Sequence, residues 1–133
     1  MALVVPNVGE TVLLDFMLKQ NSSFPDYVLK LYSNNYSPSA TTVLSDFTEA
    51  TFSGYTGYTF TRSSWDAATS VGGQGSSSRT AVSWTTGSAE TIYGYYVVTD
   101  TGSLLWAELF NTSKALQTND ILNVTLNFTL ASA

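Results

Sequence analysis

Apolar and polar residues alternate most regularly near the C-terminal end of the sequence. Leu122, Val124, Leu126, Phe128 and Leu130 are separated by Asn123, Thr125, Asn127 and Thr129, the period-two signature of a strand with one buried and one wet face. Burying those five apolar side chains contributes on the order of 10 kcal/mol before entropy is counted. A second alternating run, YVLKLYS at residues 27–33, puts Tyr27, Leu29 and Leu31 on one face and Val28, Lys30 and Tyr32 on the other. A third, residues 79–86, sets Val82 and Trp84 on one face.

Residues 91–111, TIYGYYVVTDTGSLLWAELFN, hold two aromatic and β-branched runs around Thr99-Asp100-Thr101-Gly102-Ser103. Such residues suit a pleated, partly buried surface. A type I turn on residues 99–102, with Gly102 left-handed, closes a three-residue hairpin loop. In that register Thr99 faces Ser103, Val98 faces Leu104, Tyr96 faces Trp106 and Glu108 faces Gly94.

The N-terminal part has a different period. Leu13, Phe16, Met17 and Gln20 mark one side at helical spacing, with Asp15 and Lys19 an i,i+4 pair on another. Asn7 as cap and Glu10 three residues later form a loose capping box. Residues 41–44 read as a short strand, and SDFTEA at 45–50 as a helical turn or structured loop capped by Ser45, Asp46 or Thr48. GYTGYTFT at 54–61 reads as a bent strand. VGGQGSSS at 71–78 reads as an exposed, flexible loop tip. The count of about seven strands and one helix predicts a mainly β chain, an antiparallel β-sandwich or jelly-roll-like domain with one N-terminal helix. The 133 residues suit a single domain, divided into an arm at 1–6, the helix at 7–20 and the β domain at 27–130.

Charge changes this picture more than length does. Only 11% of residues are charged, against about 25% in ordinary domains. The surface must therefore be covered by Ser, Thr, Asn, Gln and backbone, a composition that suits a subunit of a large assembly or an extracellular domain. Lys19, Lys30, Arg62, Arg79 and Lys114 are scattered singly. No basic stripe neutralises phosphates, so no nucleic acid is expected as a partner. No apolar run approaches the length of a membrane span, so no membrane partner is expected either. The start, MALVVPNVGE, has neither the basic region nor the apolar core of a secretory signal.

Candidate chemistry is thin. The chain has no His and no Cys, which removes the commonest general base and the soft metal ligands. Neither Ser-x-x-Lys nor Gly-x-Ser-x-Gly occurs. Carboxylate pairs remain as candidates for glycosidase chemistry: Asp46 with Glu49, or Glu108 beside the Tyr96/Trp106 cluster. Local capping explains the first pair more simply, and a solvent or ion-pair role explains Glu108. Gly72-Gly73-Gln74-Gly75 lacks the lysine of a phosphate cradle. The eight tyrosines keep a glycan-binding surface open, although strand aromatics are more often core. The expectation is no enzyme, no catalytic residue, no cofactor and no metal.

The strings VVPNVGE, LKLYSNNYSP, SDFTEATFSGY, the lone Trp65, SWTTG, IYGYYVV, LLWAELF and DILNVTLNFTL span nearly the whole chain. Together they resemble small β-rich virion proteins of tailed bacteriophages and cyanophages, in particular the capsid cement, or decoration, proteins. The resemblance implies a jelly-roll-like or sandwich domain that sits as a homotrimer on the capsid surface. There it clamps neighbouring copies of the major capsid protein, after assembly in the bacterial cytoplasm. It also admits a tail or fibre accessory. It transfers no functional residues. The apolar arm residues Leu3, Val4, Val5 and Pro6, ahead of the helix start, are the candidate interface for lattice or subunit contacts.

Overall fold

The computed structural model describes residues 3–18, 26–60, 64–72 and 74–131. The expected helix end at Lys19 and Gln20, the break at 21–25 and the side chains of Phe16 and Met17 on the predicted stripe lie outside what is described. Helix α1 (Asn7–Leu18) is followed by nine strands among the described residues: β1 (Tyr27–Tyr32), β2 (Tyr58–Phe60), β3 (Thr69–Val71), β4 (Gln74–Ser78), β5 (Val82–Thr85), β6 (Glu90–Thr99), β7 (Leu104–Leu116), β8 (Ile121–Val124) and β9 (Asn127–Ala131). All pairings are antiparallel. The chain is thus mainly β with one helix, as the periodicity predicts.

One layer is a four-stranded sheet in the order β2-β1-β6-β7. The other is a bent ribbon. β4 pairs with β9 and β5 with β8, and β3 flanks β4. The two halves of the ribbon meet where the Arg79 N–H donates to the Leu126 carbonyl at 3.2 Å. Between the layers lies the main core, with Leu29, Leu31, Ile92, Tyr95, Val97, Leu105 and Trp106 from the first sheet against Val82, Trp84, Leu122, Val124 and Leu126 from the ribbon. The alternation of β1 and β5 falls as expected: Leu29, Leu31, Val82 and Trp84 are all buried.

The β6–β7 turn forms as predicted. The Thr99 N–H donates to the Ser103 carbonyl and the Gly102 N–H to the Thr99 carbonyl, both at 2.9 Å, with Gly102 at φ +89°. Val98 faces Leu104, but beyond that pair the register corrects the expectation. Trp106 faces Val97, Tyr96 faces Ala107, Glu108 faces Tyr95 and Gly94 faces Leu109. Leu105 is an extra residue, a β-bulge. The bulge lets two successive side chains, Leu105 and Trp106, enter the main core, which strict alternation forbids. It also seats the helix. A Cβ on Gly9 would overlap the Leu105 carbonyl oxygen, so only glycine lets α1 lie this close to β7. A second irregularity follows: Ile92 faces Lys114 while Gly94 faces Leu109, so residues 110–113 arch out of the ladder.

The outer face of the four-stranded sheet is also covered. Tyr32, Phe47, Tyr96, Val98, Leu104 and Ala107 form a second core, in which Phe47 stacks on Tyr96 at 4.7 Å and 7°. The covering segment, residues 33–53, is irregular and held by side chains. Asn34 donates through Nδ2 to the Asp46 carbonyl and accepts from the Thr48 N–H, both at 2.8 Å. Glu90 Oε2 accepts from the Thr51 and Phe52 N–H groups at 2.8 Å. Residues 41–44 form no strand here. Leu44–Asp46 is a 3-10 turn, and Asp46 Oδ2 accepts from the Val43 N–H at 2.9 Å, which makes Asp46 the capping side chain of the three considered.

Three further expectations change. Asn7 is already helical, and the Glu10 N–H bonds the Pro6 carbonyl at 2.9 Å, so Pro6 stands where Asn7 was expected to cap. The VGGQGSSS segment supplies the last residue of β3 and all of β4 instead of a loose tip. Its serines are tied down: Ser76 Oγ to Asn127 Oδ1 at 3.0 Å, Ser77 Oγ to the Asp66 carbonyl at 2.8 Å. Hydroxyl bonding and the β9 ladder offset the poor strand propensity of Gly and Ser. Of residues 54–60, only Tyr58–Phe60 pairs as a strand.

Candidate functional site

The arm residues are used first by their own domain. The Val4 N–H donates to the Ala107 carbonyl at 2.8 Å and the Ala107 N–H to the Val4 carbonyl at 2.9 Å. The arm thereby adds one bridge to the outer edge of β7. Pro6 is buried, while Leu3 and Val5 are half-buried against the main core. Val5 also opens onto a groove.

That groove, about 640 Å³, lies between α1 and the β4–β9 ribbon. Leu13 and Leu14 form one wall, Phe128 and Leu130 the other, and Trp65 and Trp106 lie between. Glu10 is its one charged lining residue among those described. Trp106 meets Phe128 edge to face at 5.1 Å and Trp65 at 6.1 Å. Among the described residues the buried indole N–H of Trp65 has no acceptor. By contrast, Trp84 donates to the Thr56 carbonyl at 2.9 Å. The sequence reading missed this groove. Helical spacing identified Leu13 and strand alternation identified Phe128 and Leu130, but nothing local signals that the two segments face each other.

A second, polar opening of about 320 Å³ sits where β7 arches away, between Glu108, Phe110, Asn111, Asn123 of β8 and Thr125 just beyond it. Tyr95 donates its phenol proton to Glu108 Oε2 at 2.7 Å. Burial pushes the Tyr95 hydroxyl well above the usual phenol range, and the Glu108 carboxylate pushes it further. Glu108 is thus held by a neutral phenol, and the Tyr96/Trp106 pair expected beside it does not form, because Trp106 enters the main core and Tyr96 the second core.

The other candidate carboxylates serve local structure. Asp46 caps the 3-10 turn and accepts from the Tyr36 hydroxyl at 3.1 Å. Glu49 pairs with Lys30 Nζ at 3.0 Å and accepts from the Tyr55 hydroxyl at 3.1 Å. Arg79 is buried, with its guanidinium over Phe60 at 4.9 Å and Tyr58 at 5.2 Å. Among the described residues no group of three or more His, Cys, Asp or Glu is placed to hold a metal ion. No helix of the described residues is long and apolar enough to cross a membrane. Of the eight tyrosines, Tyr32, Tyr95 and Tyr96 are buried and Tyr58 is exposed. Compared with known proteins, the chain matches no family model and no curated protein.

Proposed function

We propose that this protein is a virion structural protein, a capsid cement subunit that stabilises the major capsid lattice by bridging neighbouring capsomers. The observation that carries this reading is the α1–β9 groove. It is an apolar, almost uncharged opening, flanked by the arm, on an antiparallel two-layer domain whose surface is mostly uncharged polar groups. Such a surface suits contact with protein better than turnover of a small substrate. The sequence resemblance to phage decoration proteins points the same way and supplies the jelly-roll-like class, the homotrimer and the place on the capsid. The mechanism is additive. A subunit that binds only the assembled lattice stabilises it by mass action, and a trimer gains further from multivalency.

Location in the intact particle tests this. Electron cryomicroscopy of virions should show a regular lattice of density over the capsid that fits this domain. Density at the tail would favour a tail or fibre accessory, and absence from virions would end the structural reading. Deleting residues 1–6 should lower capsid occupancy. Because Val4 pairs with Ala107, it should also lower the stability of the isolated domain.

The polar opening at Glu108 favours a second reading, a glycan-binding module. An acceptor carboxylate, Asn123 and Phe110 around one slot are groups of the kind that hold a sugar ring. Glycan-array binding that disappears in Asn123→Ala would support it. A blank array would remove it.

A further inference from the structure

The α1–β9 groove has the size of a ligand site. Its volume of about 640 Å³ lies within the roughly 300–1,000 Å³ of sites that take small molecules. Its aromatic lining centres on Trp106, which meets Tyr27 at 6.0 Å, Phe128 at 5.1 Å and Trp65 at 6.1 Å, each pair edge to face. Glu10 borders these rings and is the one charged lining residue among those described. No described residue bonds its carboxylate. The described cations are placed elsewhere: Lys30 pairs with Glu49, Arg79 lies over Phe60 and Tyr58, and Lys114 borders the polar opening. Placement in the first turn of α1 suits an acid. The helix alone does not require that acid to border four rings.

We propose that this groove is a binding site for a small organic cation, an ammonium carried on an apolar, ring-bearing body. The body packs between Leu14 and Leu130 and against the rings, and the ammonium sits at Glu10. Three features select the charge. The Glu10 carboxylate is a counter-ion left without a partner by the described chain. An aromatic lining attracts a cation through the ring quadrupole. The net charge of −5 draws cations to the surface and repels anions. Size selects a small molecule over a protein. A stable protein contact covers about 800 Å² on each partner, whereas one groove of this volume is ligand-sized. The site goes beyond the lattice contact proposed above. It is read from the groove's own residues and holds or fails without the capsid role.

Calorimetric titration of the full chain tests it with three probes of one shape: phenylbutylammonium, phenylbutanol and phenylbutyrate. The ammonium should bind once per chain with a Kd of about 1 mM or tighter. It should also change tryptophan emission, since two of the three tryptophans line the groove. The alcohol should bind about three- to fivefold more weakly, the worth of an exposed charge pair, and the carboxylate more weakly again. Glu10→Gln should erase the preference for ammonium over alcohol. Leu14→Lys sets a cation in the groove wall at an exposed position and should weaken ammonium binding about tenfold or more. Val43→Lys adds the same charge at an exposed position outside the groove and should stay within about twofold of wild type. Absence of saturable binding overturns the proposal. So do equal affinities for ammonium and alcohol, a preference that survives Glu10→Gln, or equal losses in the two lysine variants. Affinity that falls as the chain is concentrated identifies a second copy in the groove and overturns it too. If Leu14→Lys fails to fold, Glu10→Gln, a change of equal shape at an exposed side chain, decides alone.

Discussion

The β6–β7 hairpin and the β8–β9 run both read as apolar–polar strands, yet they end in different surroundings. β6 is central in its sheet and covered on both faces, by the main core and by residues 33–53. Its stretch from Gly94 to Thr99 is buried without a break. The β8–β9 run lies at an edge. Leu122, Val124 and Leu126 are buried, Phe128 is half-buried and Leu130 is exposed. Five residues that look alike by period therefore do unlike work. Alternation reports which residues share a face of a strand. It does not report how much of that face another element covers.

The widest separation between the two regions should appear at alkaline pH. Burial is the first cause that raises the hydroxyls of Tyr32, Tyr55, Tyr95 and Tyr96. Tyr32, Tyr95 and Tyr96 belong to the four-stranded sheet and Tyr55 to the loop ahead of β2, and none belongs to β8 or β9. An unfolded tyrosine ionises near pH 10. A folded pKa above that value means that the unfolded chain loses protons first. Stability is therefore full below about pH 10 and falls as pH rises beyond it. Urea midpoints should stay level through neutral pH and drop above about pH 10. Phenolate absorbance should show one class of tyrosines titrating normally and a second appearing only as the fold is lost. A single titrating class with level stability would contradict the buried arrangement.

Within the C-terminal run, Leu126→Ala should destabilise by about 2–5 kcal/mol, the cost of a cavity in the main core. Leu130→Ala should change stability by less than about 0.5 kcal/mol, as at an exposed site. Chemical denaturation of both variants measures the gradient along one strand pattern. Equal losses would mean that Leu130 is covered.

Gly94→Ala examines the hairpin from the backbone side and should cost about 1–3 kcal/mol. A Cβ at Gly94 would overlap the Glu108 carbonyl and press on the Tyr32 hydroxyl. Gly75→Ala, where nothing lies within 4 Å of the added carbon, is the matching control in the ribbon and should be tolerated. The difference in urea midpoint between these two variants is the measurement.

Much of the fold was legible because it is local. β1, β5 and the Thr99–Gly102 turn follow from side-chain period and from one glycine able to adopt positive φ. The register beyond the turn was not legible. The Leu105 bulge is favoured by what it packs, Leu105 and Trp106 in one core and Gly9 of α1 against its carbonyl, and those partners are remote in sequence. VGGQGSSS looked like a flexible tip because its residues have little to bury. It is ordered by hydroxyl bonds and by a ladder to β9, remote in the chain. Of the candidate interface, Leu3, Val4, Val5 and Pro6 were recognisable as an apolar arm. Their pairing with β7, and the groove that Val5 helps to line, required the helix to be set on the bulge.

The sequence by itself determined that this is a mainly β chain with one N-terminal helix and a weakly charged surface. Period, turn chemistry and composition are properties of neighbouring residues. Tertiary structure alone decided which apolar faces are covered and where Glu108 and Tyr95 meet. Each of these depends on contacts between segments far apart in the chain. Their free energy comes from surfaces that only the assembled layers bring together.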